Sequence, residues 1–266
     1  MTEQTTATDL ITPESRNSVS KARTVAVIQS NYIPWKGYFD IINDADLFVF
    51  YDDVQYTKND WRNRNLIKTP EGVEWITIPV GKDEHRLICE VQIRDDSWAR
   101  RHWTTLQRLY HDAPHFNRYK PFFEEVYLGH KWDNLSALNQ YLTKAIAREF
   151  LGISTEFVDS RVFQPQGCRL GRLLDLLERA GATSYISGPS AKAYIDPQIF
   201  AERKIELRWK DYSDYPEYPQ LYPPFIHQVT ILDLLFNVGA DASWYIWGHR
   251  RGSADRRLPC GNDRGR

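Results

Sequence analysis

Short apolar runs of strand length alternate with amphipathic stretches of helix length along this chain, and this alternation limits its possible folds more than any other feature. Strand or helix patterns occur, in chain order, at 24–28, 38–45, 47–51, 75–80, 97–111, 134–150, 155–158 and 170–180. Strands that alternate with helices form a mostly parallel sheet whose two faces are covered by the helices. The pattern therefore predicts an α/β fold with a mostly parallel sheet and helices on both faces.

The chain is long enough for one large domain. Its 266 residues include 42% hydrophobic and 14% aromatic residues, which is ample for a buried core. Residues 1–22 are polar and have no hydrophobic period, so we expect a disordered leader before an α/β domain at 23–244. Residues 245–266 hold six arginines against two aspartates, which predicts a disordered basic tail.

Composition argues against several classes of function. The formal net charge is −1, from 34 basic and 35 acidic side chains, so nucleic acid is not an expected partner. The three cysteines show neither CxxC nor metal-type spacing, which argues against disulfides and structural zinc and fits a reducing compartment. No apolar run has membrane-spanning length, and residues 1–22 contain no signal segment, so we expect a cytoplasmic protein. No pattern indicates a cofactor or an oligomeric state.

Polar and aromatic side chains follow the first strand in the segment 29–40. Parallel sheets bind ligands where their strands end, and Gly37 can let a substrate phosphate approach the backbone there, with Asp40 as a candidate catalytic residue. The alternative is that the aromatic side chains pack this loop onto the core and that Asn31 and Asp40 cap local backbone. The predicted substrate-binding residues of this segment are Gln29, Asn31, Tyr32, Trp35, Gly37 and Tyr38.

A second polar segment, 52–68, follows the second strand. Asp52 and Asp53 are candidate catalytic residues that can act as a base or hold magnesium, while arginine offers a planar fork for phosphate. The alternative is a solvated loop whose charges pair with one another. The predicted substrate-binding residues of this segment are Gln55, Lys58, Arg62, Asn63, Arg64, Asn65 and Lys68.

Three later residues are further candidates for substrate binding. Ser187 and Gly188 follow a strand-like run, where they can present a hydroxyl and an amide, although Ser-Gly-Pro is also a common turn composition. His227 follows the stretch 211–225, whose prolines exclude a regular helix and predict an extended loop packed across a cleft. No GxSxG, Walker-type or GxGxxG sequence occurs, so serine-hydrolase, P-loop and ordinary dinucleotide-binding functions have no motif support.

Three segments resemble the WbqC-like protein family: QSNYIPWKGYFD at 29–40, DDVQ at 52–55 and RNRNLIK at 62–68. The resemblance continues through 185–189, 218–220 and 231–239, so it covers about residues 24–240. It implies a bacterial enzyme of O-antigen, lipopolysaccharide or other surface-polysaccharide synthesis that helps to modify amino sugars. Family members often have His-Gln-Pro where this chain has Ile28-Gln29-Ser30, so a role for that histidine does not transfer.

The layout of the first strand and the loop after it is also similar to that of nucleotidylyltransferases, although both histidines of their HxGH motif are absent. We therefore expect a Rossmann-like, nucleotidyltransferase-like sheet. The leading hypothesis is a transferase or ligase, of acyl, aminoacyl or nucleotidyl type, that modifies a nucleotide-linked amino sugar. In this hypothesis, Arg62, Arg64 and Lys68 bind the phosphate of the substrate, and Asp52 or Asp53 assists proton transfer. The alternative is a non-catalytic glycan- or partner-binding subunit of the same pathway, which uses Trp35, Tyr38 and Trp61.

Overall fold

A computed structural model describes residues 22–250 of the chain. Its strands are β1 (Thr24–Ile28), β2 (Leu47–Phe50), β3 (Arg64–Thr69), β4 (Gly72–Thr77), β5 (Glu156–Asp159), β6 (Ser184–Ser187) and β7 (Glu206–Trp209). Its α-helices are α1 (Lys36–Asn43), α2 (Ser97–Tyr110), α3 (Phe116–Glu124), α4 (Leu135–Ala145), α5 (Arg169–Arg179), α6 (Pro197–Glu202), α7 (Ile231–Val238) and α8 (Ala242–Ile246).

Five strands form one parallel sheet in the order β5-β2-β1-β6-β7. The chain builds from β1 to β2 and β5 on one side, and then continues with β6 and β7 on the other side of β1. The strand order therefore reverses between β1 and β6. Loops that leave neighbouring strands at such a switch point diverge and open a crevice at the carboxyl ends of the strands.

Helices cover both faces of this sheet. Successive side chains of a strand point to opposite faces, so each strand contributes side chains to the core on both sides. On one face, Ala26 and Phe48 pack with Ile41 of α1 in the larger core cluster. On the other face, Val25 packs in a separate cluster with Leu174 of α5. Both faces are buried, which explains why the strands read as continuous apolar runs. The predicted α/β fold with a parallel sheet is confirmed.

The strand predicted at 75–80 belongs to a separate two-stranded hairpin. β3 and β4 pair antiparallel from Arg64 opposite Thr77 to Thr69 opposite Gly72. Gly72 has φ +130°, a conformation that L side chains rarely adopt, and it allows the chain to reverse within two residues. Thr230 donates its backbone N–H to Leu66 O, so the other edge of β3 contacts the start of α7.

The predicted leader and tail lie mostly outside the described residues, which exclude 1–21 and 251–266. Within the described part of the tail, Ile246 is buried in the core and Arg250 forms an ion pair with Asp40. Residues 245–250 are thus packed against the body of the domain. In the stretch 22–250, every helix is too short or too polar to cross a lipid bilayer.

Candidate functional site

A cleft of about 1300 Å³ opens at the carboxyl ends of β1, β2 and β6, where the strand order reverses. Ligands of open parallel sheets bind at this position. Pockets for drug-sized ligands occupy roughly 300–1,000 Å³, so the cleft has room for a ligand of nucleotide size or larger. The sequence-predicted residues that line it are Gln29, Trp35, Tyr38, Asp53, Gln55, Arg62, Ser187 and Gly188.

The cationic lining of the cleft consists of Arg62, Arg169 and Arg172. The Nε atoms of Arg62 and Arg172 are buried and have no hydrogen-bond partner within residues 22–250. α5 begins at the cleft, and no side chain of residues 22–250 caps it, so its first backbone N–H groups and the positive end of its dipole are available to a ligand. These donors together suit a phosphate or a carboxylate.

The aromatic lining includes Trp35, Tyr38 and Tyr212, and Tyr51, Tyr185 and Tyr194 line the cleft as well. Trp35 meets Tyr212 edge to face, with ring centroids 5.2 Å apart. A Cβ atom at Gly37 would lie 2.3 Å from the Trp35 ring, so Gly37 makes room for the indole. The close approach that Gly37 permits is therefore to Trp35, whereas the sequence prediction assigned it to a phosphate. The Tyr38 hydroxyl donates to Gln29 O at 3.0 Å.

Asp53 is the one carboxylate in the cleft lining within residues 22–250, and no histidine of that stretch lines the cleft. Its Oδ2 accepts a hydrogen bond from Arg172 at 2.5 Å, and its Oδ1 accepts one from Ser160 at 2.5 Å. Both oxygens are thus held by protein donors. Asp53 belongs to the segment after β2, Ser160 follows β5 and Arg172 lies on α5, so three elements meet at this carboxylate.

Asp52 lies below the cleft and does not line it. The carboxylate is fully buried and accepts hydrogen bonds from Ser30 N at 2.8 Å, from Gln140 Nε2 at 3.2 Å and from Ser136 Oγ. Burial raises the pKa of Asp52, and these donors oppose that rise. Its contacts tie the loop after β1 to α4, and its carboxylate lies outside the cleft lining where the predicted catalytic role would place it.

Asp40 is a second predicted catalytic residue that lies outside the cleft lining. It is fully buried, 2.7 Å from Lys210 Nζ, and it accepts a hydrogen bond from Tyr215 at 2.5 Å and pairs with Arg250. Tyr38 lines the cleft, and two helical residues further the side chain has turned by roughly 200°. Helix rotation therefore places Asp40 in an ion-pair network behind the cleft.

Comparison with known proteins shows the family to which this chain belongs. The model of the WbqC-like protein family matches residues 29–245. This chain belongs to the WbqC-like protein family. An uncharacterized protein of Mycobacterium tuberculosis is 46% identical over 226 residues, which cover 84% of this chain and 97% of that protein. No solved structure matches the chain.

Part of the WbqC-like segment 29–40 shapes the loop without reaching the cleft. Tyr32 is fully buried, and its hydroxyl hydrogen-bonds His102 Nδ1 at 2.9 Å and Tyr127 at 2.6 Å. The Asn65 side chain donates to the carbonyls of Tyr32 and Ile33, both at 2.9 Å. Ile33 has φ 36°, so the Asn65 amide holds a strained turn in place. The predicted substrate-binding residues Tyr32 and Asn65 are thus structural supports of the cleft loop.

A buried hub at Asp233 connects the later family-like segments. Asp233 accepts hydrogen bonds from Tyr218 at 2.7 Å, from Gln220 at 2.9 Å and from Tyr110 at 3.0 Å. Burial raises the pKa of Asp233. Lys68 is fully buried beside this hub, and its Nζ has no hydrogen-bond partner within residues 22–250. Lys68 therefore lies in the hub, away from the cleft where a phosphate was expected.

Lys36 packs against aromatic rings of the 211–225 loop, which contributes Tyr212 to the cleft. The Lys36 ammonium lies 4.8 Å from the ring centroid of Tyr215, 5.3 Å from that of Tyr218 and 5.8 Å from that of Phe225. Cation–π attraction compensates in part for the burial of this charge. Burial nevertheless lowers the pKa of Lys36 to about 8, while the charge of Asp233 opposes that fall.

The remaining predicted residues also lie outside the cleft lining. Arg64 stacks on Trp75, with its guanidinium 4.1 Å from the ring centroid, and Asn63 donates to Ile78 O at 3.0 Å. Lys58 is exposed and pairs at 3.9 Å with Glu84. Asn31 and His227 each carry one buried atom, Oδ1 and Nδ1 respectively, without a hydrogen-bond partner within 22–250. Burial lowers the pKa of His227.

The contribution of α5 to the cleft was not predicted from the sequence. Cleft residues that were not predicted include Tyr51, Cys168, Arg169, Arg172, Tyr194 and Tyr212. The signal that could have indicated Arg169 and Arg172 is their place at the start of a helix that follows a strand of a parallel sheet. Within 22–250, no group of three or more His, Cys, Asp or Glu side chains is arranged to hold a metal ion.

Proposed function

We propose that this WbqC-like protein is a cytoplasmic transferase or ligase that modifies a nucleotide-linked amino sugar for bacterial surface polysaccharide, including O-antigen and lipopolysaccharide. The observation that carries the proposal is one cleft that combines a cationic and an aromatic lining at the carboxyl edge of the sheet. A nucleotide sugar needs both, because its diphosphate is anionic and its base and sugar present flat or apolar faces.

Arg172 and Trp35 reach the cleft from opposite faces of the sheet. α5 packs in the cluster that contains Val25, whereas α1 packs in the cluster that contains Ala26. A ligand that contacts both Arg172 and Trp35 must therefore lie across the carboxyl edge of the sheet, over β1. In this pose the phosphates bind the arginines and the start of α5, and the base or the sugar lies against Trp35 and Tyr212.

Calorimetric titration with UDP and dTDP tests whether the cleft binds nucleotides. A hydrogen bond to a charged group contributes about 1.5–3 kcal/mol, so we expect R172A and R62A each to weaken binding roughly tenfold to a hundredfold. R101A is the matched control, because Arg101 is exposed on α2 and outside the cleft lining. Equal affinity of R172A, R62A and the unmodified protein would refute nucleotide binding in this cleft.

Turnover requires a separate test. Mass spectrometry of nucleotide-sugar pools, in cells with and without the gene, should reveal an accumulated amino-sugar precursor when the gene is absent. Restoring the gene with R172A should leave that precursor high, whereas R101A should clear it. Unchanged pools in all strains would contradict the enzymatic part of the proposal and leave nucleotide binding to be judged by calorimetry.

A second candidate function is a non-catalytic glycan- or partner-binding subunit of the same pathway. Trp61 and Trp75 are each 41% exposed, and their ring centroids are 5.2 Å apart on the outside of the domain. The cleft lining within 22–250 also holds no carboxylate except the paired Asp53 and no histidine. Binding of free glycan that W61A or W75A weakens, together with no response to UDP or dTDP, would favour this candidate.

A further inference from the structure

We infer that Asp53 is a positioning residue that fixes the Arg172 guanidinium for anion binding, and that it is not the proton-transfer group of the cleft. This inference rests on the proposed function in one respect, since it takes the ligand of Arg172 to be the phosphate of a nucleotide. It reverses the role that sequence reasoning assigned to Asp53.

The contacts of the pair support a positioning role. Asp53 Oδ2 holds one terminal nitrogen of Arg172 at 2.5 Å, and Pro165 O accepts a hydrogen bond from the other at 2.7 Å. Arg172 is thus anchored at both ends of its fork, and its Nε is the nitrogen without a partner within residues 22–250. Its side chain is 24% exposed and that of Asp53 9% exposed. The Asp53 carboxylate is thus the more deeply buried partner, and it fixes the position of the more exposed Arg172 guanidinium in the cleft lining.

The same contacts argue against proton transfer by Asp53. A general base needs an oxygen within hydrogen-bond reach of the substrate proton. Arg172 holds Oδ2, and Ser160 donates to Oδ1 at 2.5 Å. A substrate proton would have to compete with these donors for the remaining lone pairs of a side chain that is only 9% exposed. An anchored guanidinium, in contrast, binds an anion with little further loss of side-chain freedom.

Neutralising Asp53 distinguishes the two roles by the sign of its effect on binding. If Asp53 acted only as a negative charge in the cleft, D53N would remove repulsion and tighten the binding of an anion. If Asp53 fixes Arg172, D53N leaves at most a neutral hydrogen bond in place of the ion pair, so the anchor loosens and anion binding weakens. The two expectations have opposite directions, and a single affinity measurement separates them.

The experiment is a titration of the full chain with UDP and with inorganic pyrophosphate. We expect D53N to weaken both affinities at least fivefold and R172A at least tenfold. E178Q is the matched control, since Glu178 lies on α5 like Arg172 and pairs with Arg203 at 3.1 Å, and the substitution changes the charge by the same amount as D53N. Unchanged or tighter binding by D53N, or an equal loss in E178Q, would overturn the positioning role.

A second measurement tests the anchor without any ligand. The order parameter of the Arg172 Nε–Hε bond, measured by ¹⁵N NMR relaxation in the free protein and assigned with R172K, should fall in D53N and stay constant in E178Q. An unchanged order parameter in D53N would overturn the positioning role even if binding is lost. If the order parameter falls but the unmodified protein binds neither UDP nor pyrophosphate, nucleotide binding is refuted while the anchor itself stands.

Discussion

His102 should make the stability of this WbqC-like protein depend on pH, in a direction that the structure determines. Its imidazole is buried between two hydrogen bonds, to the Tyr32 hydroxyl at 2.9 Å and to Thr77 O at 3.2 Å. Desolvation lowers the pKa of His102 from 6.5 to about 4, although the hydrogen bond to Thr77 opposes the fall. The folded chain therefore keeps this ring neutral at pH values where the unfolded chain protonates it.

The magnitude follows from the two pKa values. One pKa unit corresponds to about 1.4 kcal/mol, so the fall from 6.5 to about 4 corresponds to roughly 3 kcal/mol. The folded-state pKa is the lower one, so this stability is fully present above pH 6.5 and is lost as the pH falls toward 4. H102Q removes the titrating group, and its difference in free energy of unfolding from the unmodified protein should shrink by roughly 2–3 kcal/mol between pH 7.5 and 4.5.

Urea unfolding, followed by tryptophan fluorescence at pH 7.5, 6.5, 5.5 and 4.5, measures this difference. Other titrating groups, including the buried Asp52 and Asp233, act in both proteins and cancel in the comparison. A difference between H102Q and the unmodified protein that stays constant from pH 7.5 to 4.5 would refute a neutral, buried His102.

Three further substitutions test the supports of the cleft. G37A places a Cβ atom 2.3 Å from the Trp35 ring, so it should cost roughly 1–3 kcal/mol in urea unfolding and weaken UDP binding. G171A serves as the comparison for stability, because Gly171 also lies in a helix and an added Cβ atom there would meet nothing within 4 Å. D40A leaves the buried Lys210 with less compensation and should cost roughly 3–5 kcal/mol by urea unfolding; a loss below 1 kcal/mol would contradict the network. The unmodified protein should gain stability between pH 8 and 10.5, because the lowered pKa of Lys36 lets the folded chain lose this proton at a lower pH than the unfolded chain does. K36M removes the titrating group and should abolish this gain. Urea unfolding of K36M and of the unmodified protein at pH 7 and 9.5 measures this gain. Equal changes in the free energy of unfolding of the two proteins between these pH values would contradict the prediction.

Sequence by itself determined the sheet and the edge at which the cleft opens. The apolar runs at 24–28 and 47–51 became adjacent parallel strands, because two buried faces require continuous hydrophobicity and the alternating helices require crossovers. The polar segments that follow these strands then had to meet at the carboxyl edge. Trp35, Asp53 and Arg62 line the cleft for this reason.

Tertiary structure alone decided which of the predicted side chains reach that cleft. Asp40 pairs with Arg250, 210 residues away, and Asp53 pairs with Arg172, 119 residues away. No local pattern encodes such pairs, because they depend on how α1 rotates, on where α5 begins and on how the 211–225 loop packs. Periodicity specifies a face of a helix or a strand, but the partner that this face meets is chosen only when the distant segments pack together.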